Sequence, residues 1–282
     1  MKHESLTLDR VVEPRRLSGD ARERFTTELY GVHRRIFDGV DFESFRSYVV
    51  EPKGADTRIQ VFRDPAGVAA GYVAIHGFVR TIGGTQTLVV RSEVGVLRPW
   101  RGTTPFASFV LRQCLRLTLK HWWRPKVVLG CPVHPSSFFG VTRRAHRSWP
   151  RPGRPTPPTI HSTMVELADS FGLRRVPGAD ALVRQVGWVT RQDEADRLYW
   201  GRHRAPEVRF FHAHNPGYTQ GEGLTMMVPL GLRLVAVGAI RRLTERVARA
   251  WRTSTTRGVA ARRRRECMAH KRWAPNPTSP ER

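Results

Sequence analysis

Arg98 and Arg101 flank a Pro-Trp pair and are followed by Gly102, Thr103, Thr104 and Pro105. A threonine ahead of a proline reads as a helix start, because the missing proline N–H costs nothing at the first helical position. Backbone N–H groups at such a start, aided by two guanidinium groups, make a ready site for a phosphate diester. Arg91 and Glu93 sit two residues apart in an apolar run, so period two puts them on one strand face with Gly95. The arginine favours the charged glutamate, and a salt-bridged structural role fits as well as a proton-accepting one. Cys131 precedes His134 by three residues in a Pro-flanked turn. There the two side chains need not meet, and a buried inert thiol is the commoner outcome. His212 and His214 would share a face on a strand, with Glu222 near to complete a ligand set, but a further ligand is lacking and no metal is expected. The stretch 210–223 is dense in turn formers and reads as a loop closing over a substrate, with Asn215 and Tyr218 as its polar contacts. No G-x-S-x-G, H-E-x-x-H or G-x-x-x-x-G-K-S/T occurs, which removes support from metal and nucleoside-triphosphate chemistry.

The elements that must position these groups are legible in periodicity. Phe25, Leu29, Val32, Ile36 and Phe37, then Phe42, Phe45 and Val49 after Gly39, predict two amphipathic helices over 18–50, capped near Ser18. Three strands in a meander follow over 57–63, 68–82 and 85–97, turning at residues 64–67 and at Gly83-Gly84. Phe106, Phe109, Val110, Cys114, Leu117 and Trp122 fall on helical spacing, and residues 126–131 form a short apolar strand of the kind buried in a parallel pair. A short helix over 136–145, a stiff loop with five prolines over 148–159, a helix over 162–171 and a late strand over 182–189 complete the order.

That order resembles the GNAT superfamily of acyl-CoA-dependent N-acyltransferases, whose mixed sheet opens after its fourth strand to admit the pantetheine arm. The resemblance spans about 18–189 and is most informative over 94–111, V-G-V-L-R-P-W-R-G-T-T-P-F-A-S-F-V-L. It implies an α+β fold with a mixed, mostly antiparallel sheet flanked by helices, and a pyrophosphate site formed by Leu97, Arg98, Arg101, Gly102, Thr103 and Thr104. The family's glycine positions in R-x-x-G-x-G/A fall here on Thr104 and Phe106, whose bulk obstructs close phosphate approach. An acyl-CoA site, the same fold without that cofactor, and a different α+β fold therefore all stay open. The resemblance further implies a general base on the splayed strand, where Glu93 is the carboxylate available. The family's tyrosine acid is replaced by Phe138 and Phe139, leaving Ser136, Ser137 or His134 to protonate a thiolate.

The 282 residues carry 48 Lys plus Arg against 24 Asp plus Glu, a formal charge of +24. A composition of 40% hydrophobic residues with eight Trp excludes a wholly disordered basic arm. Three scattered cysteines exclude a disulfide scaffold, and the charged N-terminus lacks a secretory apolar stretch, so a cytoplasmic protein is expected. The charge concentrates in residues 241–282, with thirteen Arg or Lys against three Glu. The chain divides into an N-terminal extension over 1–17, an acyltransferase-like domain over 18–209, a substrate or lid loop over 210–223, an amphipathic helical segment over 224–256 and a basic tail over 257–282. A basic amphipathic helix bordered by Trp251 suits peripheral contact with the inner membrane face through 224–252, or an acidic partner. The expected donor is a coenzyme A thioester or the phosphopantetheine of an acyl carrier protein, and the acceptor a small amine or a peptide. The rival is a non-enzymatic binding protein with a degenerate acyltransferase fold, whose Arg-rich C-terminus contacts membrane or, as the weaker option, nucleic acid.

Overall fold

Thr7–Val12 (β1) pairs antiparallel with Asp56–Arg63 (β3), so the sheet begins inside the stretch expected to be an extension. Between them come helix α1, Gly19–His33, the two-residue strand β2, Phe37–Asp38, and α2, Phe42–Phe45, which runs on as a π-helical turn to Val50. The computed structural model describes residues 6–101, 106–145 and 147–231. Gly102, Thr103, Thr104 and the segment and tail beyond residue 231 lie outside the described residues.

Ala69–Ile82 (β4) and Thr85–Val96 (β5) form one long hairpin around Gly83-Gly84. Both glycines have positive φ, 51° and 78°, as a two-residue turn matched to strand twist requires. Helix α3, Ala107–Lys120, crosses to Lys126–Gly130 (β6), which runs parallel to β5. The remaining elements are α4 (Pro135–Arg144), α5 (Pro158–Ser170), β7 (Arg174–Arg175), β8 (Val183–Gln185), β9 (Val189–Thr190), α6 (Glu194–Gly201), α7 (Pro206–His214), β10 (Glu222–Leu224) and β11 (Met226–Pro229). The main sheet has the order β1-β3-β4-β5-β6-β11, with β5–β6 as its parallel pair. That pairing covers Leu88–Val90 against Lys126–Val128 and then stops, while β5 continues six residues further. The sheet therefore parts after its fourth strand, as the resemblance implied.

The two faces of the sheet are buried differently. Phe109 and Leu117 of α3 pack on Phe62, Val73, Ile75, Leu88 and Val90. A Cβ at Gly77 would stand 2.7 Å from Leu117 Cδ2, so the close helix approach depends on that glycine. On the other face Leu29, Val32, Phe45 and Val49 meet Ile59, Val61, Tyr72 and Ala74. Where that face reaches β6, Phe78, Val89 and Leu129 join Phe138, Phe211 and Met226 in a second cluster.

Several expectations change. Ile36 and Phe37 leave the helix and turn into the core, where β2 pairs with β9. Trp122 lies past the end of α3 and is 75% exposed rather than on its buried stripe. The stretch 210–223 is not an open loop, since α7 and a short 3-10 turn, Pro216–Gln220, occupy it. The start of the expected amphipathic segment, 224–230, is core instead. Leu224, Met226, Met227 and Val228 are buried, and β11 closes the free edge of β6. The late strand over 182–189 joins a small sheet, β10-β8-β7, and the separate pair with β2. No helix among the described residues is long and apolar enough to cross a membrane.

Candidate active site

Beyond Val90 the inner face of β5 presents Arg91 and Glu93, and hairpin register sets them opposite His76 and Ala74 of β4. Cross-strand partners share a face, so His76 lies diagonal to Glu93. His76 Nε2 stands 2.6 Å from Glu93 Oε2, and Arg91 Nη2 3.6 Å from Glu93 Oε1. The first is a close contact rather than an aligned hydrogen bond, because neither atom has a partner of acceptable angle. On the far side of the ring His76 Nδ1 lies 2.9 Å from Thr57 Oγ1 of β3. Carboxylate, imidazole and hydroxyl thus lie in a row across three strands. All of it is buried, Glu93 at 8% and His76 at 1% exposure. Burial pulls the Arg91 pKa down while the Glu93 charge pushes it up.

His76, Arg91 and Glu93 line a cavity of about 180 Å³ that also takes in Tyr48, Lys53, Phe78, Arg80 and Phe171. The α2 turn supplies Tyr48 and the end of α5 leads into Phe171. Sequence reasoning placed Glu93 and Arg91 together but missed His76. Counting back from the Gly83-Gly84 turn sets residue 76 opposite residue 91, so the signal was present in the hairpin.

The other expected site residues fall elsewhere. His134 caps α4: its Nδ1 accepts from the Ser136 backbone N–H at 3.2 Å and lies 2.7 Å from Ser136 Oγ. With Nδ1 an acceptor, the ring proton sits on Nε2, which faces Gln192 Oε1 at 3.3 Å. Burial holds His134 down to about 4. Ser136 is thereby committed to the cap, while Ser137 is exposed on the first turn. Burial pushes the Cys131 thiol up to about 11, so it is protonated near neutrality and no nucleophile.

Arg98 pairs with Asp193, and Arg101 Nη1 with Asp196 at 2.9 Å. Asp193 caps α6 by accepting from the Asp196 N–H, so the start of that helix supplies the counter-charges. The two arginines expected for pyrophosphate are thus already partnered. Leu97 is half-buried beside them, packed on the core. Asn215 is fully buried and donates to the Glu222 carbonyl at 3.1 Å, and Tyr218 packs on His134 at 6.0 Å between ring centres. Both brace α7 and β10 instead of reaching into the cavity. His212 and His214 lie on α7, where a two-residue step turns side chains to different sides. His212 Nε2 meets the Trp200 carbonyl and His214 stacks on Phe210, so the two imidazoles do not share a face as they would on a strand.

No family model and no curated protein sequence matches the chain. Among solved structures it is similar to a GNAT family N-acetyltransferase (YhbS) from Escherichia coli in complex with CoA, at 18% identity over 53% of this chain and 78% of that one, TM-score 0.32. It is similar to a GCN5-related N-acetyltransferase from Kribbella flavida at 14% identity over 79% and 97%, TM-score 0.34. The NatC complex bound to Gag peptide and CoA gives 7% identity over 80% and 99%, TM-score 0.35. The described residues form a mixed, mostly antiparallel sheet with helices on both faces, parted after its fourth strand, which is the arrangement the resemblance implied.

Proposed function

We propose that the protein transfers an acyl group from a pantetheine thioester, on coenzyme A or an acyl carrier protein, to an amine. The observation that carries the reading is Glu93, buried beside His76 on the stretch of β5 that has left β6 and facing a cavity of acceptor size. Beyond Val90 the edge of β5 has no strand opposite it among the described residues. An extended amide-bearing arm can hydrogen-bond along such an edge as an added strand does. The thioester supplies the activated acyl carbon. Glu93 takes a proton from the incoming amine, the freed nitrogen lone pair bonds to that carbon, and the C–S bond breaks to release the thiolate. His76 then shares the proton load, with Thr57 fixing its ring. The thiolate takes a proton from a donor at the start of α4, where Ser136 and His134 are tied into the cap and Ser137 is exposed.

The test is release of free thiol from acetyl-CoA and longer acyl-CoA thioesters in the presence of an amine panel. Glu93→Gln keeps the shape and removes the base, so kcat/KM is expected to fall about 10²- to 10⁴-fold. An unchanged rate in that variant would sink the assignment.

One observation favours the rival, a binding protein that keeps the fold without the donor. Arg98 and Arg101 are neutralised by Asp193 and Asp196, and Thr104 and Phe106 stand where the family has small residues. Under that reading the function rests with the basic C-terminal residues and a membrane, nucleic-acid or acidic protein partner. Both readings place the protein in the cytoplasm, with peripheral contact at the inner membrane face as the extension of either.

A further inference from the structure

Removing a proton from an amine needs one base, yet the cavity beside Glu93 also gathers Lys53, Arg80 and Arg91. Arg91 is 7% exposed, and the acid nearest its guanidinium is Glu93 at 3.6 Å, beyond hydrogen-bond distance. Its guanidinium carbon lies 4.7 Å from the ring centres of both Tyr48 and Phe171. Arg80 lies 4.9 Å from the same Phe171 ring and 5.1 Å from that of Phe78. Two buried or half-buried guanidinium groups thus flank one aromatic ring; Arg91 is ion-paired with Glu93 at 3.6 Å, and Arg80 donates from Nη1 to the Val79 carbonyl at 3.2 Å. Rings packed on the faces of a guanidinium leave its in-plane N–H groups for polar partners, and with Arg80 Nη1 given to Val79 the remaining N–H groups of Arg80 and those of Arg91 match a carboxylate.

Charge balance points the same way. Three cations and one carboxylate repel a plain alkylammonium, whereas an amine with its own anionic group brings the missing charge. The same cations favour the neutral, nucleophilic form of the bound amine. The cavity, about 180 Å³, is smaller than the ~300–1,000 Å³ of drug-sized sites, which suits a molecule of amino-acid size.

We propose that the acceptor is a small amine that also bears a carboxylate, with the carboxylate held by Arg91 and Arg80 and the amine directed at Glu93. The proposal rests on the acyltransferase reading above and names the substrate class of that site. The test uses the full chain and sets each α-amino acid against the amine that lacks its carboxylate. Thiol release from acetyl-CoA reads turnover, and ligand-observed NMR reads binding without it. Carboxylated amines are expected to lead by about tenfold to a hundredfold, the range of one charge-assisted pair. Arg80→Gln is expected to raise KM for them about tenfold and to narrow that lead. Equal or better use or binding of the decarboxylated amines, of amino-acid amides or of phosphoethanolamine would overturn the proposal while leaving Glu93 as base. Normal turnover in Glu93→Gln with the preference intact would do the reverse. If no thioester is turned over, the binding comparison still decides.

Discussion

His33 and His134 are each held to about 4 by burial, against about 6.5 for an unconstrained imidazole. His33 packs 4.6 Å from Trp188 and 4.7 Å from Phe45 between ring centres, with Tyr72 OH 2.8 Å from its Nδ1. A depressed histidine pKa means the unfolded chain binds protons that the folded chain refuses. Stability is therefore full above about pH 6.5, is lost as pH falls toward 4, and is lost no further on their account below that. Each group contributes roughly 3 kcal/mol to that fall. Urea unfolding between pH 7 and pH 4 should show the decline, and His33→Gln should make it shallower; an unaltered slope in the variant would refute the assignment. At this scale the sequence exposed Glu93 and Arg91, two residues apart on one strand. It hid His33 and His76, because a single histidine shows its partners only once strand register or helix packing is known.

Helix α6 has a local cause and a distant consequence. Asp193 caps it and Asp196 follows in its first turn, a pattern visible in the sequence, yet their partners Arg98 and Arg101 lie over ninety residues earlier. Period and propensity report neighbours along the chain, so the sequence alone leaves both arginines open to phosphate. The same limit applies to 224–230, a continuous apolar run in which helix and strand look alike until the open edge of β6 is known. If the donor's phosphates bind at Arg98 and Arg101, they compete with α6. Asp196→Asn should then tighten coenzyme A binding about two- to fivefold, as expected for a partly exposed ion pair of less than ~1 kcal/mol. Unchanged or weaker binding in calorimetry would place the phosphates elsewhere.

The net charge of +24 is a property of the whole chain whose parts act separately. Residues 241–282 hold thirteen Arg or Lys against three Glu, but the described residues have basic surface of their own. Arg143 and Arg144 at the end of α4 join Arg151 and Arg154 around a cavity of about 430 Å³. Because β11 completes the sheet, a chain cut at Arg209 loses core strands and should not fold, whereas one ending at Gly231 keeps every strand described above. Thermal unfolding followed by circular dichroism should give a cooperative transition for the second and none for the first. If the acyltransferase reading holds, the chain ending at Gly231 also retains turnover, since Glu93, His76 and the cavity all lie before that point. Its affinity for anionic vesicles or DNA should drop and depend less steeply on salt, by about one unit of log–log slope for each phosphate contact removed. A residual slope that Arg143→Glu and Arg154→Glu then abolish assigns the remainder to the arginine cavity. Full-strength binding by the shortened chain would instead put the polyanion-binding surface before residue 232, and the C-terminal residues would lose their role in the rival reading.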